Sequence, residues 1–347
     1  MKLLRYLLIF IPVSILSAFL KLNPVWTFFL SALAIIPLAG LMGEATEAIA
    51  CYTGPRVGGF LNATFGNATE LIISFFALKA GLFDVVKASI AGSVIGNVLL
   101  VLGGSMLCGG MRYKTQKFNR HAIETSSSML LFAVIGLILP AIFTHAIKPN
   151  LLNARYEWLS VGVAFLFFTI YLLGLYFSFY THKDLYGTEH EEAVEPHWTL
   201  FKSITVLSLA TVGIAVMSEF LVQSVEHVTE VLGLSEFFVG IVLIPIIGNA
   251  AEHSTAILMA LKNKMDVAVE IAIGSSLQII LFVAPVLIFL SLLFKPMTIV
   301  FNEFELIALI VSVIIANKVA SDAESNWLEG AQLVVVYVII AISFLVI

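Results

Sequence analysis

Gly66-Asn67-Ala68-Thr69-Glu70 and its near copy Gly248-Asn249-Ala250-Ala251-Glu252 decide how this chain is read. Each places a carboxylate and an amide inside a run otherwise apolar enough to span a bilayer. A charged side chain at the bilayer centre costs about 2.5–3.5 kcal/mol on insertion scales. Two at matching places imply a shared task, and the simplest is to hold a cation that lipid would exclude.

The copies lie 182 residues apart, and the same offset lays Gly58 on Gly240, Asp84 on Asp266, and Gly92-Ser93 on Gly274-Ser275. Glu44 likewise falls on Glu226. Apolar matches are cheap in such a sequence, but these polar and glycine matches are not, and no gap is needed to hold them in step. The composition agrees with a membrane protein. Of 347 residues, 60% are hydrophobic and 12% charged, against about 25% charged in soluble domains. The net charge of −5 opposes nucleic-acid binding. Cys51 and Cys108 match no metal-ligand spacing and are expected as two buried thiols.

A span needs about 20 apolar residues. Eleven stretches qualify: roughly 3–20, 25–43, 57–78, 85–108, 121–145, 156–180, 200–222, 237–261, 267–294, 303–320 and 328–346. The second is expected to continue as helix past the membrane, carrying Glu44 and Glu47. The expected fold is an all-α polytopic membrane protein. It comprises an N-terminal helix (1–22, retained rather than cleaved as a signal peptide), a first five-helix repeat (25–181), an acidic linker (182–199) and a second five-helix repeat (200–347). The linker holds Glu189, Glu191, Glu192 and Glu195 and reads as a solvated loop. Five is odd, so the second repeat enters the membrane inverted, which is a transporter design with its site at the repeat interface near mid-membrane. Of the 18 Lys and Arg, twelve fall on the side of the N-terminus and six on the other. This places the N-terminus in the cytoplasm and, after eleven spans, the C-terminus outside.

Polar residues gather around the two motifs. Asn67 and Asn249 precede their glutamates by three residues and would share a helix face with them. Gly66, Gly248 and Pro245 weaken the helix there, and a broken intramembrane helix is tolerated where it lines a cavity. On the fourth and ninth spans Ser93 with Asn97, and Ser275 with Gln278, each fit one helix face. Glu70, Glu252, Asn67, Asn249, Asn97, Gln278, Ser93 and Ser275 all offer oxygen. Soft metals would call for sulfur or imidazole, whereas calcium takes six to eight oxygens in flexible geometry. Sodium and manganese remain open on this chemistry. Burial favours the protonated form of a carboxyl group, and a nearby divalent ion favours the charged form. Metal and proton therefore compete for one pair of groups, which is the minimal machinery for exchange.

Other polar residues carry two readings each. Serines often bond back to their own helix, and the asparagines and Gln278 could serve as helix glue. His253 adjoins Glu252 and could relay protons, but it points about 100° away around the helix, so a structural or gating role is equally open. Asp84 and Asp266 suit helix N-termini. Glu44 and Glu226 read as ion-attracting mouths or as solvated helix ends. Glu124, beside Ser126-Ser127-Ser128, reads as a proton-path residue or a surface group.

With these motifs in view, the chain resembles the calcium/proton exchangers, the CAX family. Gly66-Asn67-Ala68-Thr69-Glu70-Leu71-Ile72 and Gly248-Asn249-Ala250-Ala251-Glu252-His253 look like its two signature repeats. Gly92-Ser93-Val94-Ile95-Gly96-Asn97 and Gly274-Ser275-Ser276-Leu277-Gln278 follow in the expected context. The resemblance covers nearly the whole chain. It implies export of cytosolic Ca2+ against H+, with Glu70 and Glu252 binding the metal and carrying protons and with Asn97 and Gln278 lining the same site. The sodium/calcium exchangers share the superfamily, but their signature Pro-Glu pair is absent here. Eukaryotic members usually have longer N-terminal regions, so the resemblance implies a prokaryotic plasma-membrane protein. The linker is shorter than a long acidic helix, which argues against calcium sensing.

Sodium-coupled exchange and export of another divalent such as Mn2+ are the alternatives, with a channel further off. No His-Glu-x-x-His or Gly-x-Ser-x-Gly pattern is present, so an enzyme is not expected, nor a cofactor beyond the transported ions. Calcium, protons and the lipid bilayer are the expected partners. The sequence leaves homo-oligomerisation open.

Overall fold

A computed structural model describes residues 4–144, 152–182 and 198–346, and most of the acidic linker lies outside them. The described chain is helical apart from short connections and one two-stranded ribbon, β1 (Gln116–Lys117) with β2 (Glu324–Ser325). A helical stretch, Leu4–Phe19, leads into α2 (Pro24–Phe65), and its α-helical part Phe10–Phe19 is α1. Asn23 caps α2, its Oδ1 accepting from the Val25 N–H at 2.9 Å, and Pro24 takes the first helical position. As expected, α2 continues through Glu44 and Glu47. It then bends at Gly54, whose φ of 79° is open to glycine at no steric cost.

After α2 come α3 (Ala68–Ala80), α4 (Phe83–Arg112), α5 (Arg120–Thr144) and α6 (Leu152–Tyr176). The second half contributes α7 (Leu200–Gln223), the short α8 (Val225–Leu232), α9 (Glu236–Gly248) and α10 (Ala250–Leu261). It ends with α11 (Met265–Ser291), α12 (Glu303–Val319) and α13 (Trp327–Val346). Among the described residues, eight helices are long and apolar enough to cross a membrane, and a ninth forms if the bent pair α9–α10 counts as one. The first expected span is a shorter apolar helix. The third (57–78) is not a separate rod: it is shared between the second arm of α2 and α3.

The layers explain the burial. α4 and α11 are the innermost long helices, and α5, α6, α7 and α13 present mostly apolar outer faces. α2 runs along α7, α13 along α4, and α6 along the second part of α11. Small residues set the closest crossings. At Gly103 a Cβ would stand 2.7 Å from the Leu333 Cβ, and Gly330 packs against the Leu107 backbone, so α4 and α13 meet nearly backbone to backbone. Cys51 is exposed and Cys108 half-buried, both as free thiols. This corrects the expectation of two buried thiols: Cys51 stands on an exposed face of α2 three residues before the Gly54 bend, although Ala48 and Ile49 in the turn before it are buried.

Candidate ion-binding site

Two helix breaks build the site. α2 ends just before Gly66-Asn67 and α3 begins at Ala68; α9 ends at Gly248 and α10 begins at Ala250. Both asparagines leave helical geometry in the same way: Asn67 has φ −101°, ψ 18° and Asn249 has φ −94°, ψ 6°. The second break turns the chain by 61°. This corrects the expectation that each asparagine shares a helix face with its glutamate. The asparagine is the joint ahead of a new helix, and Glu70 or Glu252 falls in that helix's first turn, where the macrodipole favours a carboxylate.

Each carboxylate reaches the opposite repeat. A Cβ on Gly248 would stand 3.1 Å from Glu70 Oε1, and one on Gly66 would stand 3.6 Å from Glu252 Oε1. Lacking side chains, the two glycines let the motifs interlock. The amides cross over as well. Asn67 Nδ2 donates to Gln278 Oε1 and Asn67 Oδ1 accepts from Ser275 Oγ at 2.9 Å. Asn249 Nδ2 donates to Ser93 Oγ at 3.2 Å and to the Pro245 carbonyl at 3.0 Å. Ser275 also stands beside the Glu252 carboxylate.

Seven of the eight oxygen-bearing residues singled out from sequence are thus joined through these contacts. Asn97, the eighth, is buried one turn beyond Ser93 on α4, and its Nδ2 has no hydrogen-bond partner. Glu70 Oε2, Glu252 Oε2 and Asn249 Oδ1 are likewise buried acceptors without partners. Leaving such groups unpaired is costly, so the arrangement suits a guest that supplies charge or protons. Among the described residues no group of three or more His, Cys, Asp and Glu could hold a metal. A cation here would rest on two carboxylates supplemented by amide and hydroxyl oxygens, which is chemistry for a hard ion. His253 follows Glu252, is half-buried, and has an unpartnered Nε2.

Several features escaped the sequence reading. α4 widens to a π-helix over Gly96–Val101, which contains Asn97, and α11 does so over Ile279–Val283, directly after Gln278. Such widened turns occur often at functional sites, but no residue pattern here announces them. Glu305 is 1% exposed yet was not singled out. Its pattern Asn302-x-x-Glu305 is a capping box, and Glu305 Oε2 accepts from the Asn302 N–H at 2.8 Å. Asp84 and Asp266 do fall in first turns, but neither α4 nor α11 has a side-chain cap bond. Asp84 lies 4.0 Å from the Lys87 ammonium, and Asp266 accepts from the Asn119 N–H. Glu124 pairs with Arg120 at 2.8 Å on the surface. Glu226 is exposed and Glu44 half-buried.

Comparison with known proteins agrees with this architecture. The sodium/calcium exchanger protein family matches residues 23–180 and 202–346. A Ca(2+)/H(+) antiporter of Aphanothece halophytica is 46% identical, with 97% of this chain and 95% of that protein covered. The Ca(2+)/H(+) antiporter ChaA of Bacillus subtilis is 45% identical, with 96% of each covered. The solved structure of native YfkE superposes with a TM-score of 0.87 at 40% identity, covering 99% of both chains. On these matches the chain belongs to the sodium/calcium exchanger protein family, among relatives named as Ca(2+)/H(+) antiporters.

Proposed function

We propose that this protein is a secondary antiporter that exports Ca2+ from the cytosol in exchange for H+. The carrying observation is the interlock of Glu70 and Glu252, each lying against the glycine of the other repeat's motif. In this reading Glu70 and Glu252 bind either Ca2+ or protons. Asn67, Asn249, Asn97, Gln278, Ser93 and Ser275 complete the oxygen shell, and His253 assists proton movement. Placing Ca2+ between two carboxylates offsets their mutual repulsion and expels their protons. A carrier that is both empty and doubly charged is electrostatically disfavoured, which keeps it from changing sides without cargo. The names of the close relatives support this choice over sodium-coupled exchange or Mn2+ export.

The accompanying topology has eleven crossings: an N-terminal helix (1–22), inverted five-helix repeats (25–181 and 200–347), and the linker (182–199) between them. The third crossing is the second arm of α2 together with α3, and the eighth is α9 with α10. The N-terminus is cytoplasmic and the C-terminus outside. The bacterial relatives favour a bacterial plasma membrane. Homo-oligomerisation is compatible with the large exposed apolar surface of α6 and α13.

The test is Ca2+ flux into proteoliposomes under an imposed proton gradient without sodium, repeated under a sodium gradient alone. Flux driven by protons alone supports the proposal. A sodium requirement moves the protein to the neighbouring exchanger class, and flux without any counter-ion makes it a channel.

A further inference from the structure

We infer that a groove at the end of α4, beside the start of α13, is a seat for an anionic phospholipid. Leu107, Gly110 and Met111 of α4 form the groove with Trp327 of α13, and Lys114 stands at its rim. Its walls are apolar and open: Met111 is 76% exposed and Trp327 52%. The groove lies where two membrane-crossing helices end together, at the level where an indole and a lysine meet lipid headgroups. It is also rigid. Gly110 packs against the Trp327 backbone, and Gly103 and Gly330 hold the same two helices in contact below it. The following loop is pinned by β1–β2 pairing and by Gln116 Nε2 donating to the Ala260 carbonyl at 2.9 Å.

The cations of this segment are not equivalent. Lys117 pairs with Glu324 at 2.9 Å, Arg120 with Glu124 at 2.8 Å, and the Arg112 guanidinium sits over the Tyr113 ring at 5.6 Å. Among the described residues Lys114 has neither an ion pair nor a ring partner, and it is the one cation of the four that lines the groove. A phosphodiester at Lys114, with an acyl chain laid along Leu107 and Met111, matches both the charge and the apolar walls. Zwitterionic lipid offers the chain without the net charge, and free phosphate the charge without the chain.

Native mass spectrometry of the full-length protein in detergent tests this, titrating phosphatidylglycerol, phosphatidylcholine and inorganic phosphate separately. Wild type should retain one phosphatidylglycerol in preference to the other two probes. Lys114→Ala should weaken that adduct about five-fold, the scale of one lysine at an anionic membrane surface, while Lys117→Ala leaves it unchanged. A thermal melt of each variant keeps loss of lipid distinct from loss of fold. Equal retention by wild type and Lys114→Ala overturns the assignment. So does equal retention of phosphatidylcholine, retention of phosphate alone, or an adduct lost with Lys117→Ala. Self-association that persists while no lipid is retained would assign the groove to a second copy of the chain and overturn it too.

Discussion

Gly92 and Gly274 occupy the same place in the two repeats, yet their surroundings differ. A Cβ at Gly92 would run into the Ile241 backbone, and one at Gly240 would stand 3.1 Å from the Val85 carbonyl, so α4 and α9 are sealed together. At Gly274 nothing lies within 4 Å. The side chains nearby divide the same way. Glu70 is buried and its copy Glu252 half-buried, and Ile73 and Gly96 are buried where Thr255 and Gln278 are half-buried, although Ser93 and Ser275 are both buried. Two copies of one sequence pattern thus sit in two conformations. At the paired glycines and glutamates the difference lies in packing rather than in the residue, as expected for a carrier whose halves exchange roles. The half-buried residues lie on α10 and α11, which meet at the Lys262–Lys264 turn. In the proposed topology that turn is cytoplasmic, so the looser packing lies toward the cytosol and the Gly92–Ile241 contact toward the outside, while Glu70 Oε2 and Glu252 Oε2 themselves stay buried between them.

The largest expected effect tests whether both copies are needed. Glu70→Gln and Glu252→Gln should each reduce proton-driven Ca2+ flux to the level of empty liposomes, with normal expression and melting temperature. If Glu252→Gln still exchanges, the half-buried copy is only a vestibule and the buried copy carries the ion alone. pH sharpens the same point. Protons and Ca2+ compete for these carboxylates, so acidification must weaken Ca2+ binding and alkalinisation must strengthen it. Each proton displaced raises the apparent Kd about tenfold per pH unit of acidification. Calcium titrations monitored calorimetrically across pH should give a slope between one and two protons, and a pH-independent Kd would sink the competition mechanism.

The glycines break the comparison directly. Gly274→Ala has room in this conformation but would obstruct the equivalent of the Gly92 seal when the halves exchange roles. It should bind Ca2+ normally yet slow exchange strongly, as measured by equilibrium binding beside flux. Gly92→Ala meets backbone already and should lower the melting temperature. If Gly274→Ala transports at the wild-type rate, the open contact never closes and the exchange of roles is wrong.

Much of this was legible in the sequence, because a buried carboxylate in a membrane is costly enough to stand out and its repetition fixed the alignment of the halves. Glu70, Glu252, both asparagines, Ser275 and Gln278 could be grouped from that alone. The crossing partners could not. That Asn67 bonds α11 and Asn249 bonds α4 depends on how the two repeats interleave, and no spacing within one helix encodes it. Gly66, Gly248 and Pro245 announce a weakened or broken helix, but the three-residue spacing from asparagine to glutamate suggests one shared face and does not reveal that the asparagine is itself the joint. The π turns left no trace, since Val, Leu and Ile serve equally well in an α or a π turn. Least legible of all was the conformational difference at Gly92 and Gly274, which matching residues cannot express.

A smaller effect separates the two asparagines. Asn67→Ala would strand the Gln278 side-chain oxygen, at about 1–3 kcal/mol for a group left unpaired, and leave the Ser275 hydroxyl only the Glu252 carboxylate as partner. Asn249→Ala strands only Ser93 and removes an acceptor, Oδ1, that has no partner in the protein. Asn67→Ala should therefore lower the melting temperature more, and Asn249→Ala should weaken Ca2+ binding at smaller cost in stability. The reverse ranking would mean that the inter-repeat lock runs through Asn249.

The smallest expected effect concerns one carbonyl seen in both repeats. The 182-residue offset lays Ala63 on Pro245. The Pro245 carbonyl accepts from the backbone N–H and the side-chain Nδ2 of Asn249, both at 3.0 Å. The Ala63 carbonyl instead accepts from the Tyr171 hydroxyl of α6 at 3.4 Å, while the Asn67 amide crosses to Gln278. Tyr171 thus stands in for an amide engaged elsewhere. The contact is long, so Tyr171→Phe should cost no more than about 1 kcal/mol of stability and leave flux near wild type. The ring still packs on Phe282, with centroids 5.2 Å apart. If flux collapses while the melting temperature holds, the hydroxyl belongs to the exchange cycle. In that case the buried half-site depends on a partner that its half-buried copy does without.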